Sequence, residues 1–255
     1  MSGVGVEVSD GIASITLDNV KRLNALTLPM LDALEGHLTD LERDDTVYGV
    51  ILTGAGDRAF CCGADIAAWG ALRPADFARH WIRNGHRIFD RLARLSKPTI
   101  GVLNGHAFGG GLELAGCCDI RLMVPGAFLA LPEAGVGIVP GWSGSQRLAR
   151  LIPEPVLKEM ALFGRRIEAE RAKALGFVAD VVVHPMSVAR EIASGLRELS
   201  PRATEISKNM IHAAVGEDRG AMVEALGGAA AAASNDRDEG VTAFLDKRKP
   251  AFSGQ

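Results

Sequence analysis

The 255-residue chain contains no apolar run approaching the roughly 20 residues of a membrane-spanning helix, so no membrane partner is expected. Its opening residues, Met1-Ser2-Gly3-Val4, carry no basic region followed by an apolar stretch. No secretory signal is therefore expected, and the chain is assigned to the cytoplasm. Charge of either sign is not in excess: 28 Lys and Arg stand against 31 Asp and Glu, a formal charge of −3. Such a balance supplies no basic stripe, so nucleic acid is not an expected partner. Cysteine is scarce, with two adjacent pairs, Cys61-Cys62 and Cys117-Cys118. Neighbouring thiols usually point apart, and neither pair has C-x-x-C spacing, so buried free thiols are expected. No H-E-x-x-H motif occurs among six scattered histidines, and no metal site is expected. The absence of G-x-x-x-x-G-K-[ST] argues against a nucleotide-phosphate loop.

What is present is an ordinary globular composition, 47% hydrophobic and 23% charged, at a length that buries a substantial core. Val4 to Leu17 alternates around Asp10-Gly11, which predicts a hairpin. Thr27 is placed to cap a helix with Pro29 in its first turn, and Leu28, Leu31, Leu34, Leu38 and Leu41 predict its apolar face. Strands are predicted at 48–53, 99–103, 120–124, 128–131 and 178–183. Helix is predicted over 75–95, in a short stretch after Gly109-Gly110-Gly111, and between Ser143 and Leu175. Phe77, Trp81, Ile88, Leu92 and Leu95 are expected to face inward from the 75–95 helix. From Met186 onward every periodic segment is helical, including the alanine run 229–233. The expected class is an α/β core with a helical C-terminal region.

Two acidic residues stand in unusual settings. Glu113 follows three glycines directly after a strand, where exposed amides and the helix dipole favour negative charge. An N-terminal glutamate on a tight packing turn gives the same pattern. Glu133 lies in the apolar, proline- and glycine-bounded stretch 131–141, where lost hydration raises a carboxyl pKa toward neutrality. A surface loop with a solvated carboxylate is the plainer alternative. The small residues around Gly63 can aim a backbone N–H into a cleft.

Taken together, five segments resemble the crotonase (enoyl-CoA hydratase/isomerase) superfamily along nearly the whole chain. They are Arg22-Leu23-Asn24-Ala25-Leu26; Ala59-Phe60 through Gly63-Ala64-Asp65-Ile66; Asn104-Gly105 through Gly110-Gly111-Leu112-Glu113; Pro132-Glu133 with Pro140-Gly141 through Leu148; and Glu239-Gly240 through Phe244 and Lys247-Arg248. The resemblance implies a spiral of ββα units over residues 1–196. It also implies a C-terminal helical region, 197–255, that forms homotrimers or dimers of trimers.

By the same resemblance, the amides of Ala64 and Gly110 form an oxyanion hole for a thioester carbonyl, and Glu113 and Glu133 are the base and acid of a hydratase. The substrate is then an enoyl-CoA, hydrated to a 3-hydroxyacyl-CoA, with coenzyme A part of the substrate and no separate cofactor. Arg22, Asn24, Ala25, Asp65, Ile66, Pro132, Gly141, Trp142, Phe244 and Lys247 are the implied substrate-contacting positions. Many relatives carry a lysine after the Ala64-Asp65-Ile66 segment, where this chain has Ala67-Ala68, so contacts to the CoA phosphates must come from elsewhere. Trp142-Ser143 fills a stretch where relatives often have smaller residues, which narrows or reshapes the acyl pocket.

Other crotonase reactions, namely double-bond isomerisation, thioester hydrolysis and decarboxylation, share the fold and the oxyanion hole. Gly141-Trp142-Ser143-Gly144-Ser145 approaches the G-x-S-x-G of serine hydrolases, but its last position is serine and Pro140 breaks the strand that should precede it.

Overall fold

The computed structural model describes residues 3–217, 225, 227–228 and 230–255. Asp10 and Gly11 both take positive φ, 54° and 74°, the geometry that lets a two-residue turn match the strand twist. Strands β1 (Gly3–Ser9) and β2 (Ile12–Asp18) accordingly pair antiparallel from Ser9 opposite Ile12. Thr27 caps α1 (Leu28–Arg43), its hydroxyl accepting from the Met30 amide at 3.4 Å. The helix buries Met30, Leu31, Leu34, Leu38 and Leu41. Leu28 departs from the expected face and is exposed. It is the first helical residue, and helical side chains lean toward the N-terminus, past the end of the packed stripe.

The next part of the chain repeats one unit three times. In the first turn β3 (Gly49–Gly54) leads to β4 (Ala59–Cys61) and α2 (Ile66–Trp69), followed by α3 (Pro74–Asp76) and α4 (Arg83–Ala93). In the second, β5 (Thr99–Leu103) leads to β6 (His106–Phe108) and α5 (Gly110–Ala115). In the third, β7 (Ile120–Met123) leads to β8 (Phe128–Ala130) and a 3₁₀ turn, Glu133–Val136. The longer strands of each turn pair in parallel in a six-stranded sheet of order β1-β2-β3-β5-β7-β10, with β10 at Asp180–Val181. The shorter ones form a second sheet, β4-β6-β8-β9, with β9 at Ile167–Glu168. Every residue of β3 and β5 is buried, which is why they read as continuous apolar runs rather than alternating ones.

Three predicted elements are corrected. The 75–95 helix is interrupted by a π-helical turn at Phe77–Ile82, so α3 and α4 are separate pieces. Trp81, Ile88 and Leu92 nevertheless face the core as their spacing predicts, joined by Phe89. The stretch 143–175 is three short helices, α6 (Leu148–Leu151), α7 (Glu154–Phe163) and α8 (Ala169–Ala174), with β9 among them. Ile152 is extended before Pro153, and Gly164 ends α7 in the left-handed conformation, two local stops that outweigh the periodicity. Of 178–183 only Asp180–Val181 form a strand, flanked by bonds from the Ala179 and Val182 amides to the Arg121 and Met123 carbonyls, while Val178 is buried in the core.

Helices α9 (Pro185–Ser194) and α10 (Pro201–Ala214) follow. The chain divides into two compact units, 1–205 and 206–255, where the sequence had suggested 196/197. The second unit contains the helix Asn235–Leu245, capped by Ser234. The alanine run begins at a residue outside those described; Ala230, Ala231 and Ala232 are helical. None of the four cysteines is in a disulfide, and Cys61, Cys117 and Cys118 are buried. Among the described residues no helix is long and apolar enough to cross a membrane.

Candidate active site

Strands β4, β6 and β8 are parallel neighbours, so the loops leaving their carboxyl ends emerge side by side. That edge is where open α/β sheets hold ligands. The three loops, joined by the Gly141-Trp142 segment, line one cavity of about 140 Å³ that contains Ala64, Gly110, Glu113 and Glu133.

The first loop contributes a backbone amide. Ala64 forms a parallel bridge with Leu26, in which Leu26 N–H donates to the Gly63 carbonyl and Asp65 N–H to the Leu26 carbonyl, each at 2.8 Å. In such a bridge the amide of the central residue points the other way, and here Ala64 lines the cavity on that side. The second loop turns at Gly109, whose φ of 52° and ψ of −126° lie in a region that side chains make costly. A methyl on Gly110 would stand 3.7 Å from the Ala64 nitrogen, so the start of α5 lies close to Ala64.

The two carboxyl groups come from the second and third loops and are both buried, 3% and 8% exposed. Oε1 of Glu113 accepts from the Trp142 amide at 2.8 Å and the Gly144 amide at 2.7 Å. Burial nevertheless pushes the Glu113 pKa up to about 7; repulsion from Glu133 adds to the rise, while the two amides and Arg147 oppose it. Burial likewise raises Glu133, whose Oε2 has no hydrogen-bond partner. The other buried side-chain polar atom without a partner among the described residues, Trp69 Nε1, belongs to the same cavity lining. Orphaned polar atoms are costly in a folded protein, and two in one cleft mark where a polar ligand or water completes the site. Glycines adjoin both carboxyl groups: a methyl on Gly109 would lie 2.8 Å from Glu133 Oε1, and one on Gly144 2.6 Å from Pro140 Cβ and 2.7 Å from Glu113 Oε1, so each carboxyl would have to shift.

Aromatic rings wall the cavity. Trp142 is buried against Trp81 and Phe89, with ring centroids 5.1 Å and 5.0 Å away, and its Nε1 donates to the Trp81 carbonyl at 3.3 Å. Trp69 meets Phe77 edge-on at 5.6 Å. Ile66, Pro132 and Gly141 also line the cavity.

Four expected contact residues, Arg22, Asn24, Ala25 and Asp65, are not among those lining this cavity. Arg22 pairs with Asp65 at 2.5 Å, and Ala25 is buried. Asn24, in the left-handed region at φ 57°, spends its side chain on the backbone. Its Nδ2 donates to the Ala55 and Ala59 carbonyls, both at 2.9 Å, and its Oδ1 accepts from the Asn19 amide at 3.0 Å. Asn24→Ala is therefore expected to lower the unfolding free energy by about 2–3 kcal/mol, read from urea denaturation, since it orphans buried backbone groups and forces alanine into positive φ. Phe244 and Lys247 lie in the second compact unit.

Sequence reading missed a polar chain behind the Trp142-Gly144 segment. Ser143 Oγ is 3.4 Å from His86 Nδ1, His86 Nε2 is 3.4 Å from Asp90, and Asp90 pairs with Arg147 at 2.6 Å. His86 and Ser143 are 57 residues apart, and no local motif links them.

Successive ββα turns thus bring two buried carboxyl groups, with Ala64 and Gly110, to one aromatic-walled cleft. The chain matches the enoyl-CoA hydratase/isomerase family over residues 7–255. It is 35% identical to the short-chain-enoyl-CoA hydratase of Clostridium acetobutylicum, covering 98% of this chain and 97% of that one. It is 34% identical to the crotonyl-CoA hydratase of Syntrophomonas wolfei, over 97% and 96% respectively. The crystal structure of an enoyl-CoA hydratase from Bacillus anthracis superposes with a TM-score of 0.81 at 34% identity, over 99% of both chains. The chain belongs to the enoyl-CoA hydratase/isomerase family.

Proposed function

We propose that this protein is an enoyl-CoA hydratase, adding water across the 2,3 double bond of a short enoyl-CoA thioester to give the 3-hydroxyacyl-CoA. One observation carries the reading: two buried carboxyl groups share a cavity with the Ala64 amide, and one of them has an orphaned oxygen. A single acid or base is enough to move a double bond. A pair suits the addition of water, in which one group takes a proton from oxygen while another supplies one to carbon.

In this mechanism the thioester oxygen accepts from the Ala64 and Gly110 amides, which stabilise the negative charge that builds as the β-carbon is attacked. Such donors typically contribute roughly 3 kcal/mol each. Glu113, already gripped by two amides, holds the negative charge and takes a proton from water as the water oxygen bonds to the β-carbon. Glu133, whose Oε2 has no donor to stabilise an anion, carries the proton and delivers it to the α-carbon of the enolate. Coenzyme A enters as part of the substrate, and no further cofactor takes part. The Trp81–Trp142 wall and the small cavity support a short acyl group, as do the names of the relatives from C. acetobutylicum and S. wolfei. A cytoplasmic homotrimer, or dimer of trimers, is the assembly that the family resemblance supports.

The test is turnover of crotonyl-CoA beside a long-chain enoyl-CoA, followed by loss of the conjugated thioester absorbance. The short substrate is expected to react with a kcat/KM at least about tenfold higher, roughly 1.4 kcal/mol of discrimination. Failure of every enoyl-CoA would remove the hydratase reading and leave another reaction of the same fold.

A further inference from the structure

Ser143 is buried and takes a φ of 91°, a positive value that a serine adopts only under constraint. It sits between the two amides that converge on one oxygen of Glu113. Amides at positions i and i+2 form an anion-gripping concavity when the backbone reverses its hand between them, and the positive φ at 143 is that reversal. The strained residue is tied on both sides. Its carbonyl accepts from the Arg147 amide at 2.9 Å, and its hydroxyl meets His86 Nδ1 at 3.4 Å. His86 is itself braced on α4: its Nε2 lies 3.4 Å from Asp90 and 3.0 Å from the Gln146 side-chain amide. The Gln146 amide nitrogen can only donate, so it fits the tautomer in which His86 Nε2 accepts and Nδ1–H donates to the Ser143 hydroxyl.

We propose that Ser143 and His86 are positioning residues: their contact holds residue 143 in the left-handed conformation that turns the Trp142 and Gly144 amides onto Glu113, and so sets the pH at which Glu113 becomes a base. The proposal rests on the reading of Glu113 as the hydratase base. A serine nucleophile is the rival role for the same Ser–His–Asp line. The geometry opposes it, because the amides flanking Ser143, which a nucleophilic serine would use for an oxyanion, are occupied by Glu113. The charged groups facing Glu113 are Glu133 and Arg147. Those facing His86 are Asp90 and, around the outer cavity it lines, Glu42, Arg83, Arg87, Arg91 and Arg94.

The test compares Ser143→Ala, His86→Ala and Ser143→Gly, each checked for folding by circular dichroism. Loss of the tether frees the two amides, which favour ionised Glu113. In Ser143→Ala and His86→Ala the rising limb of the kcat/KM profile should therefore move up by about one pH unit. Turnover below the limb should fall roughly tenfold, with KM changed less than about twofold. Ser143→Gly removes the hydroxyl but takes positive φ freely, so its limb should return toward the wild-type position. Titration of ¹³C-labelled glutamate, with Glu113→Gln assigning the resonance, should report the same shifts without any substrate. That readout separates failure of this proposal from failure of the hydratase reading. An unmoved Glu113 titration in both alanine variants would overturn it. So would loss of all turnover in Ser143→Gly together with fluorophosphonate labelling of Ser143 in the wild type, the signature of a nucleophile.

Discussion

Glu113→Gln is expected to lower kcat by roughly a thousandfold while making the folded protein more stable at pH 8 than the wild type. Both effects have one cause. The cavity strips water from a carboxyl group that must be charged to act as a base, and Glu113 titrates at about 7, against an ordinary value of 4.5. Below pH 4.5 the group is protonated in folded and unfolded chains alike, and it adds no pH-dependent term. As pH rises from 4.5 toward 7 the unfolded chain loses its proton first, so stability falls across that window and stays reduced above it. Glutamine keeps an oxygen to accept from the Trp142 and Gly144 amides and carries no charge to bury. The variant should therefore gain up to about 3 kcal/mol relative to wild type at pH 8, and almost nothing at pH 4. Urea denaturation at the two pH values, beside steady-state kinetics, checks both halves. An inactive variant that is equally destabilised at both pH values would mean that Glu113 holds the fold rather than the chemistry.

Gly111→Ala is expected to prevent folding or to lower stability by more than about 3 kcal/mol, beyond the usual cost of overpacking. A methyl at this position would lie 2.0 Å from the Cys61 carbonyl oxygen and 2.7 Å from its carbon. These are main-chain atoms of β4, which is paired with β6, so no rotamer change relieves the clash. α5 must approach β4 this closely for its start at Gly110 to lie close to Ala64. A neighbouring glycine supplies the control. Gly135→Ala, in the turn bearing Glu133, meets nothing within 4 Å and should unfold within about 0.5 kcal/mol of wild type. Thermal melts of the two variants measure the contrast.

Much of this architecture was legible in the chain because local chemistry and tertiary demand agree there. Asp10-Gly11 has the residues a tight hairpin needs, Thr27 and Pro29 mark a helix start, and the largely apolar β3 and β5 announce strands covered on both faces. The cavity residues Ala64, Gly110, Glu113 and Glu133 were reached through the family resemblance, since each segment alone has a plainer structural explanation. The strands β4, β6 and β8 that bring them together have three residues each, too few for a periodic pattern. The π-turn before α4 and the breaks between 143 and 175 follow from packing and from Pro153 and Gly164, which a periodicity window averages away. The link from His86 to Ser143 is purely tertiary, and a left-handed serine leaves no mark in sequence.

The central claim is that this cleft adds water to carbon, and incubation of crotonyl-CoA in ¹⁸O-labelled water tests it most directly. Hydration places the label on the 3-hydroxyl of a product still joined to CoA, with incorporation falling by roughly a thousandfold in Glu113→Gln. Label found instead in a free carboxylate would reveal thioester hydrolysis, and unlabelled product with a displaced double bond would reveal isomerisation; either result would contradict the hydratase assignment.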